Sequence, residues 1–159
     1  MAKRWVWLSH VLGQSTPAYG GGDGFLADAD KQLASGDSCN TVRLNFLNHL
    51  GSHVDAPFHF VSDGLTVDSY TPEDWVFSRV FVADIIVSPG EVIDIPAISP
   101  LLEGAEGVDL VLFRTGFEGV RDQRDYWKRP PAYAPELAEF LMEELPSLVA
   151  IGMDSISIS

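Results

Sequence analysis

Val108-Asp109-Leu110-Val111-Leu112-Phe113-Arg114, closed by Thr115-Gly116, reads as a buried strand: an apolar run of strand length that stops at a turn. Further on, Leu137, Phe140, Leu141 and Leu145 recur at helical spacing, so Pro135 to Leu145 is expected to form an amphipathic helix with these residues on its inner face. Pro135 suits the first helical turn and Pro146 stops the helix. Leu148 to Met153 is the next short strand. Strand, helix, strand in this order calls for a right-handed crossover between parallel strands, which makes the chain α/β. Ligands of such sheets gather at the carboxyl ends of strands, so Arg114, Thr115 and Asp154 are candidate binding residues. Equally, Arg114 reads as an ion-pair residue and Asp154 as a turn former.

Towards the N-terminus, Arg79 to Val87 is apolar and rich in β-branched residues, and Thr41 to Leu47 is a second strand candidate. Ser62-Asp63-Gly64 and Thr71-Pro72-Glu73 mark turns. Arg4 to Ser9 alternates well enough for a first strand. The loop that follows, Gly13 to Gly24, holds Pro17 and the run Gly20-Gly21-Gly22. It is not a phosphate loop, because no Gly-Lys-Ser/Thr follows.

Between these segments lies His49-Leu50-Gly51-Ser52-His53-Val54-Asp55-Ala56-Pro57-Phe58-His59, with three of the chain's four histidines. Read as an extended strand kinked at Gly51, it puts His49, His53, Asp55 and His59 on one face and Leu50, Val54, Ala56 and Phe58 on the other. His53 and Asp55 then stand about 6 to 7 Å apart, within reach of one ion, whereas a straight strand leaves His49 about 13 Å from His53. Gly51 offers the bend that closes this gap. A helix would bring His49 and His53 together but throw Asp55 to another face, and Pro57 would end it. Two imidazoles and a carboxylate suit zinc, and equally iron, cobalt or manganese; calcium and magnesium favour oxygen alone. Three protein ligands leave a coordination position open, the pattern of a catalytic site. His59 is read as a general base beside the metal's water or as a ligand to a second ion.

The composition of the 159 residues, 46% hydrophobic and 21% charged, is that of one soluble domain with a proper core. A formal charge of −13 disfavours nucleic acid or an anionic membrane surface as partner. Cys39 is the sole cysteine, so no intrachain disulfide forms. Met1-Ala2-Lys3-Arg4-Trp5 lacks the apolar stretch of a secretion signal and no run is long enough to span a membrane, which together read as a cytoplasmic protein.

The motif from His49 to His59, with Phe60 after it, resembles the His-x-Gly-Thr-His-x-Asp-x-Pro-x-His-Phe signature of the cyclase family, which includes bacterial kynurenine formamidases (arylformamidases) and isatin hydrolases; Ser52 replaces the usual threonine. Leu8-Ser9-His10, Pro17, Arg114-Thr115-Gly116 and Ile151-Gly152-Met153-Asp154-Ser155 agree in order, so the resemblance runs over nearly the whole chain. It implies a swivelling β/β/α domain with a central mixed sheet over residues 1–159, assembled as a homodimer or homotetramer. It also implies metal-dependent hydrolysis of an amide, with His49, His53 and Asp55 as ligands to a divalent ion, zinc or manganese, and His59 as the catalytic acid or base. For a kynurenine formamidase the substrate is N-formyl-L-kynurenine, an intermediate of tryptophan breakdown. Trp5, Trp7, Tyr19, Phe25 and Trp75 are available to wall a small aromatic amide. Kynurenine formamidases supply a further histidine and a glutamate beyond the Asp-x-x-Ser stretch, and these complete a second metal position. No histidine follows His59 here, so the chain is expected to be short at its C-terminus. The expectation extends to three forms: a fragment or non-catalytic metal-binding remnant, a short form with one metal, or a site completed by another chain.

Overall fold

Strands β1 (Leu26–Lys31) and β2 (Thr41–Asn45) pair antiparallel in the computed structural model, which describes residues 5–7 and 9–158. The pairing runs from Leu26 opposite Asn45 to Lys31 opposite Thr41, with an irregularity between Ala29 and Lys31. Polar side chains hold the connection between them. Asp37 accepts from the backbone N–H of Gln32 at 2.7 Å, Asn40 from that of Leu33 at 2.8 Å, and Asp30 binds both Thr41 and Arg43 across the strands. Gly36 turns the chain at φ +91°, a conformation that side-chain-bearing residues avoid. This hairpin belongs to the first of two compact units, Met1–Val67 and Asp68–Ser159. It leaves Leu26, Val42 and Leu44 exposed.

The strand expected over Arg4 to Ser9 is not seen at the described residues of that stretch. Arg4 and Leu8 lie outside the described residues, and Trp5 to Trp7 and Ser9 run without strand pairing, Trp5 being 89% exposed. Alternation supplies a face, but a strand needs a hydrogen-bonding partner to persist.

The second unit is built as expected around parallel strands. β3 (Val80–Asp84), β5 (Leu110–Arg114) and β7 (Ala150–Met153) form a sheet with β5 in the middle, and β4 (Val92–Ile93) pairs parallel with β6 (Ala132–Tyr133). Val111 and Phe113 point into the core from β5, alternating with the half-buried Leu110 and Leu112. Helix α1 (Ile95–Ile98) is capped by Asp94, which accepts from the N–H of Ala97 at 3.1 Å, and it buries Ile98 completely. After α2 (Arg124–Lys128), α3 (Glu136–Glu144) lays Leu137, Leu141 and the adjoining Leu145 into the same core, with Phe140 at its edge. A Cβ at Gly152, where β7 passes β5, would stand 2.5 Å from Leu112 Cδ2, so a larger residue there would displace the end of that leucine side chain. Both kinds of strand pairing that a mixed α/β fold combines are therefore present, carried by separate sheets. No helix among the described residues is long and apolar enough to cross a membrane.

Asp109 ties β3 to β5 at their starts. Its carboxylate accepts from the backbone N–H of Ser78 at 2.7 Å and of Arg79 at 3.0 Å. The Ser78 bond, the larger effect, and then the Arg79 bond hold this carboxyl below the usual aspartate range.

Candidate metal centre

The segment from His49 to His59 is not a strand; it is a turn, an irregular stretch and a single 3-10 turn, Pro57–His59. Two residues account for this. Gly51 adopts φ +78°, the left-handed region closed to a regular strand, and Pro57 opens the 3-10 turn. Strand parity fails accordingly: Leu50 is buried, but Val54 and Phe58 are both more than half exposed. The bend at Gly51 does what was required of it, for the rings of His49 and His53 meet edge to face with centroids 5.0 Å apart.

The local fold then carries His59 to the same place. The N–H of His59 bonds to Ala56 O at 2.9 Å and that of Val61 to Pro57 O at 2.9 Å, coiling the chain tightly. Phe58 N–H reaches Leu65 O at 3.1 Å, which brings Gly64 against Pro57. A Cβ at Gly64 would lie 2.7 Å from the Pro57 carbonyl carbon, so only glycine permits this approach. As a result the His59 ring stacks on His49, with centroids 3.8 Å apart and planes 27° apart. His59 thereby comes within reach of both His49 and Asp55.

Asp55 stands at the centre of the group. Its Oδ1 is 2.7 Å from His49 Nδ1 and 3.4 Å from His53 Nε2. His49, Asp55 and His59 each offer a ligand atom, and these atoms lie within 4.8 Å of one another. His53 is oriented by its own turn, because Nδ1 lies 2.7 Å from Gly51 O and donates to it, which leaves Nε2 facing Asp55. His49 Nδ1 is shut from solvent and makes no hydrogen bond despite its closeness to Asp55. The separation suits a hydrogen bond but the direction does not. A solvent-shut imidazole nitrogen beside a carboxylate oxygen, with further imidazoles close by, is a donor set of the kind a divalent cation takes.

The remaining candidates have other engagements. Tyr19 is exposed at the start of a 3-10 turn, and Phe25 stacks on Phe46 at 5.2 Å. Trp75 packs on Tyr70 at 5.2 Å. Arg114 and Asp154 lie in the second unit. Arg114 forms a two-pronged pair with Asp84, its register partner on β3; Nη2 to Oδ2 is 2.7 Å, and the guanidinium's hydrogen bond holds the Asp84 carboxyl below its ordinary range. Asp154 accepts from the N–H of Thr115 at 2.9 Å, the N–H of Gly116 at 2.8 Å and the Thr115 hydroxyl. It pins the sharp exit of β5. Its charge also adds to burial, the main cause, in raising the Tyr133 phenol above its usual range. Asp154→Ala should therefore lower the stability of the chain by about 1 to 3 kcal/mol, the cost of leaving such donors unpaired. Urea unfolding measures this, and an unchanged midpoint would return Asp154 to the role of a ligand-facing residue.

A family model described as "Putative cyclase" matches residues 6–159. The chain belongs to the cyclase family. Relatives within reach include a kynurenine formamidase of Bacillus cereus, 25% identical over 158 residues that cover 96% of this chain and 69% of that protein. Another, from Erythrobacter litoralis, is 29% identical and covers 99% of this chain and 68% of its own. The solved structure of a predicted metal-dependent hydrolase from Bacillus stearothermophilus superposes with a TM-score of 0.69 at 20% identity, over 95% of this chain and 68% of that one. This last likeness extends the cyclase fold, already shown by the family match, to a solved relative.

Asn48 and the carbonyl of Gly51, both touching a histidine ring of this cyclase-family centre, were not singled out by sequence. The backbone contact has no sequence signal. That of Asn48 is only its position beside the first histidine.

Proposed function

We propose that this chain is a metal-dependent hydrolase that cleaves an amide, with N-formyl-L-kynurenine, split to kynurenine and formate, as its leading substrate and isatin-like cyclic amides next. The observation that carries the reading is the convergence of His49, His53, Asp55 and His59 around a nitrogen that has no hydrogen-bond partner. The names of the curated relatives support the choice of substrate.

In this reading His49 Nδ1, His53 Nε2 and Asp55 Oδ1 hold a divalent cation, zinc by the chemistry of the donors and manganese next. Bound there, the cation supplies charge that polarises a carbonyl and lowers the pKa of a water to about 7. The protein does the rest. Asp55 balances the positive charge, and the Gly51 carbonyl keeps the proton of His53 on Nδ1, away from the centre. Hydrolysis needs a water to lose a proton as it attacks the carbonyl carbon, and the departing nitrogen to gain one as the C–N bond breaks. A ring nitrogen of His59, exposed beside His49, moves that proton. A second reading is favoured by the closeness of His59 to His49 and Asp55, in which His59 is itself a ligand.

The expected result is hydrolysis of N-formylkynurenine by the purified chain supplied with zinc or manganese, abolished by chelator and restored by metal. Failure to turn over any aryl formamide or isatin while zinc is bound would leave a metal-binding module and end the hydrolase reading.

A further inference from the structure

We propose that the Thr16 hydroxyl sets the metal centre from outside its ligand set, by locking a turn that presses on Gly51 and so holds the bend that aims His53. The inference rests on the metal-centre reading above and extends it to an earlier stretch of the same unit. Among the described residues of that unit only Thr16 and Leu50 are buried, and Thr16, 4% exposed, is the polar one. A hydroxyl taken out of water needs partners, and this one has them in its own turn. The N–H of Gly13 donates to Thr16 Oγ1 at 3.0 Å, the N–H of Thr16 returns a bond to Gly13 O at 2.9 Å, and the hydroxyl proton is directed at Val11 O, 3.5 Å away. These bonds close residues 11–16 into a tight turn.

The turn abuts Gly51. A Cβ built on that glycine would meet Leu12 Cδ1 at 3.1 Å and Thr16 Cγ2 at 3.6 Å, so both side chains lie against its bare face. Gly51 needs such a wall. Glycine takes positive and negative φ about equally readily, so a φ of +78° is no preference of the residue itself and has to be imposed by its surroundings. The Leu50 N–H, bonded to Leu47 O at 3.1 Å, holds the chain just before the bend, and the wall holds the bend itself. Any swing of the backbone at Gly51 has to displace the side chains packed on it.

Two features of the metal centre depend on that bend. It brings the rings of His49 and His53 together, centroids 5.0 Å apart, and its carbonyl, 2.7 Å from His53 Nδ1, turns that ring so that Nε2 lies 3.4 Å from Asp55 Oδ1. Within the wall the lock is the hydroxyl of Thr16. Leu12 makes the closer contact, but it is 42% exposed and is presented to Gly51 by the backbone of the closed turn. Thr16 is β-branched and stiff, and the Gly13 bond to Oγ1 fixes it further. It is thus a positioning residue, which acts on the ligands only through Leu12 and Gly51.

The test uses the purified chain with zinc alone as the probe, in competition with a chromophoric chelator, and the backbone NMR couplings of Gly51 in metal-free protein. Thr16→Val keeps the shape and loses the hydroxyl. It is expected to weaken zinc binding by roughly 10-fold, the lower end for a supporting residue, and to average the Gly51 couplings away from those of a left-handed backbone. Thr16→Ser should restore the couplings and bring zinc affinity within about threefold of wild type, below that range. Leu12→Ala leaves the hydrogen bonds of the turn in place and should reproduce the effect of Thr16→Val; it decides the question if circular dichroism shows the Val variant unfolded. Wild-type zinc affinity in a folded Val variant or in Leu12→Ala overturns the proposal while leaving the metal centre standing, and so does a Ser variant as weak as the Val variant. Absence of zinc binding by the wild type overturns the metal centre itself, and this inference with it.

Discussion

Asp55→Asn is expected to abolish zinc binding. The side chain keeps its size and shape, so the turn around it has no reason to move, but the site loses its only anionic donor. In the folded chain that oxygen is the shared neighbour of two imidazoles, 2.7 Å from His49 Nδ1 and 3.4 Å from His53 Nε2. Neutral imidazoles alone leave a dication's charge uncompensated. An asparagine there also presents either a weaker oxygen or an N–H that repels the ion. The loss should exceed the roughly 10- to 100-fold typical of a supporting residue. Competition against a chromophoric chelator measures it. Hydrolysis should vanish in parallel, since no step proposed here proceeds without the cation. Zinc affinity in the variant within about threefold of wild type, well inside that supporting-residue range, would remove Asp55 from the ligand set and dismantle the centre as described.

His59→Ala separates catalysis from binding. If His59 moves the proton between water and the leaving nitrogen, its removal should cut kcat by about 10² to 10⁴ and leave zinc affinity nearly unchanged. The ring stacks on His49 without a hydrogen bond to it, so its loss opens the face of His49 but takes away neither of the nitrogens that its neighbours orient. A collapse of zinc binding comparable to that of Asp55→Asn would instead make His59 a ligand, as its place in the cluster also permits. The two measurements on one variant thus decide the role of the residue. Unchanged turnover with unchanged affinity would exclude both roles.

The parallel core was legible from residue pattern because its signals are local and redundant. β5 carries an apolar run, α3 repeats leucine at helical spacing between prolines, and both stand where the pattern put them, each a residue or two shorter. β1 was not read, and its sequence explains why: Leu-Ala-Asp-Ala-Asp-Lys has no β-branched residue. Pairing to β2 and the Asp30 contacts with Thr41 and Arg43 make it a strand, and those partners lie across the hairpin. Asp84 was likewise silent until the register set it opposite Arg114.

For the metal centre the division is sharper. The sequence by itself determined the donors, since four side chains able to bind a divalent ion fall within eleven residues, and also the place of the bend, since Gly51 is free to take a left-handed conformation. It did not determine how they meet. An alternating pattern is satisfied by a strand, but a glycine at positive φ and a proline-led 3-10 turn replace its period of two with a coil. Only the folded loop, closed by Phe58 on Leu65 and by Gly64 against Pro57, stacks His59 on His49 and leaves Nδ1 facing Asp55. Side-chain identity is a local property of the chain, whereas the direction of a lone pair depends on hydrogen bonds that exist only once the turn is closed.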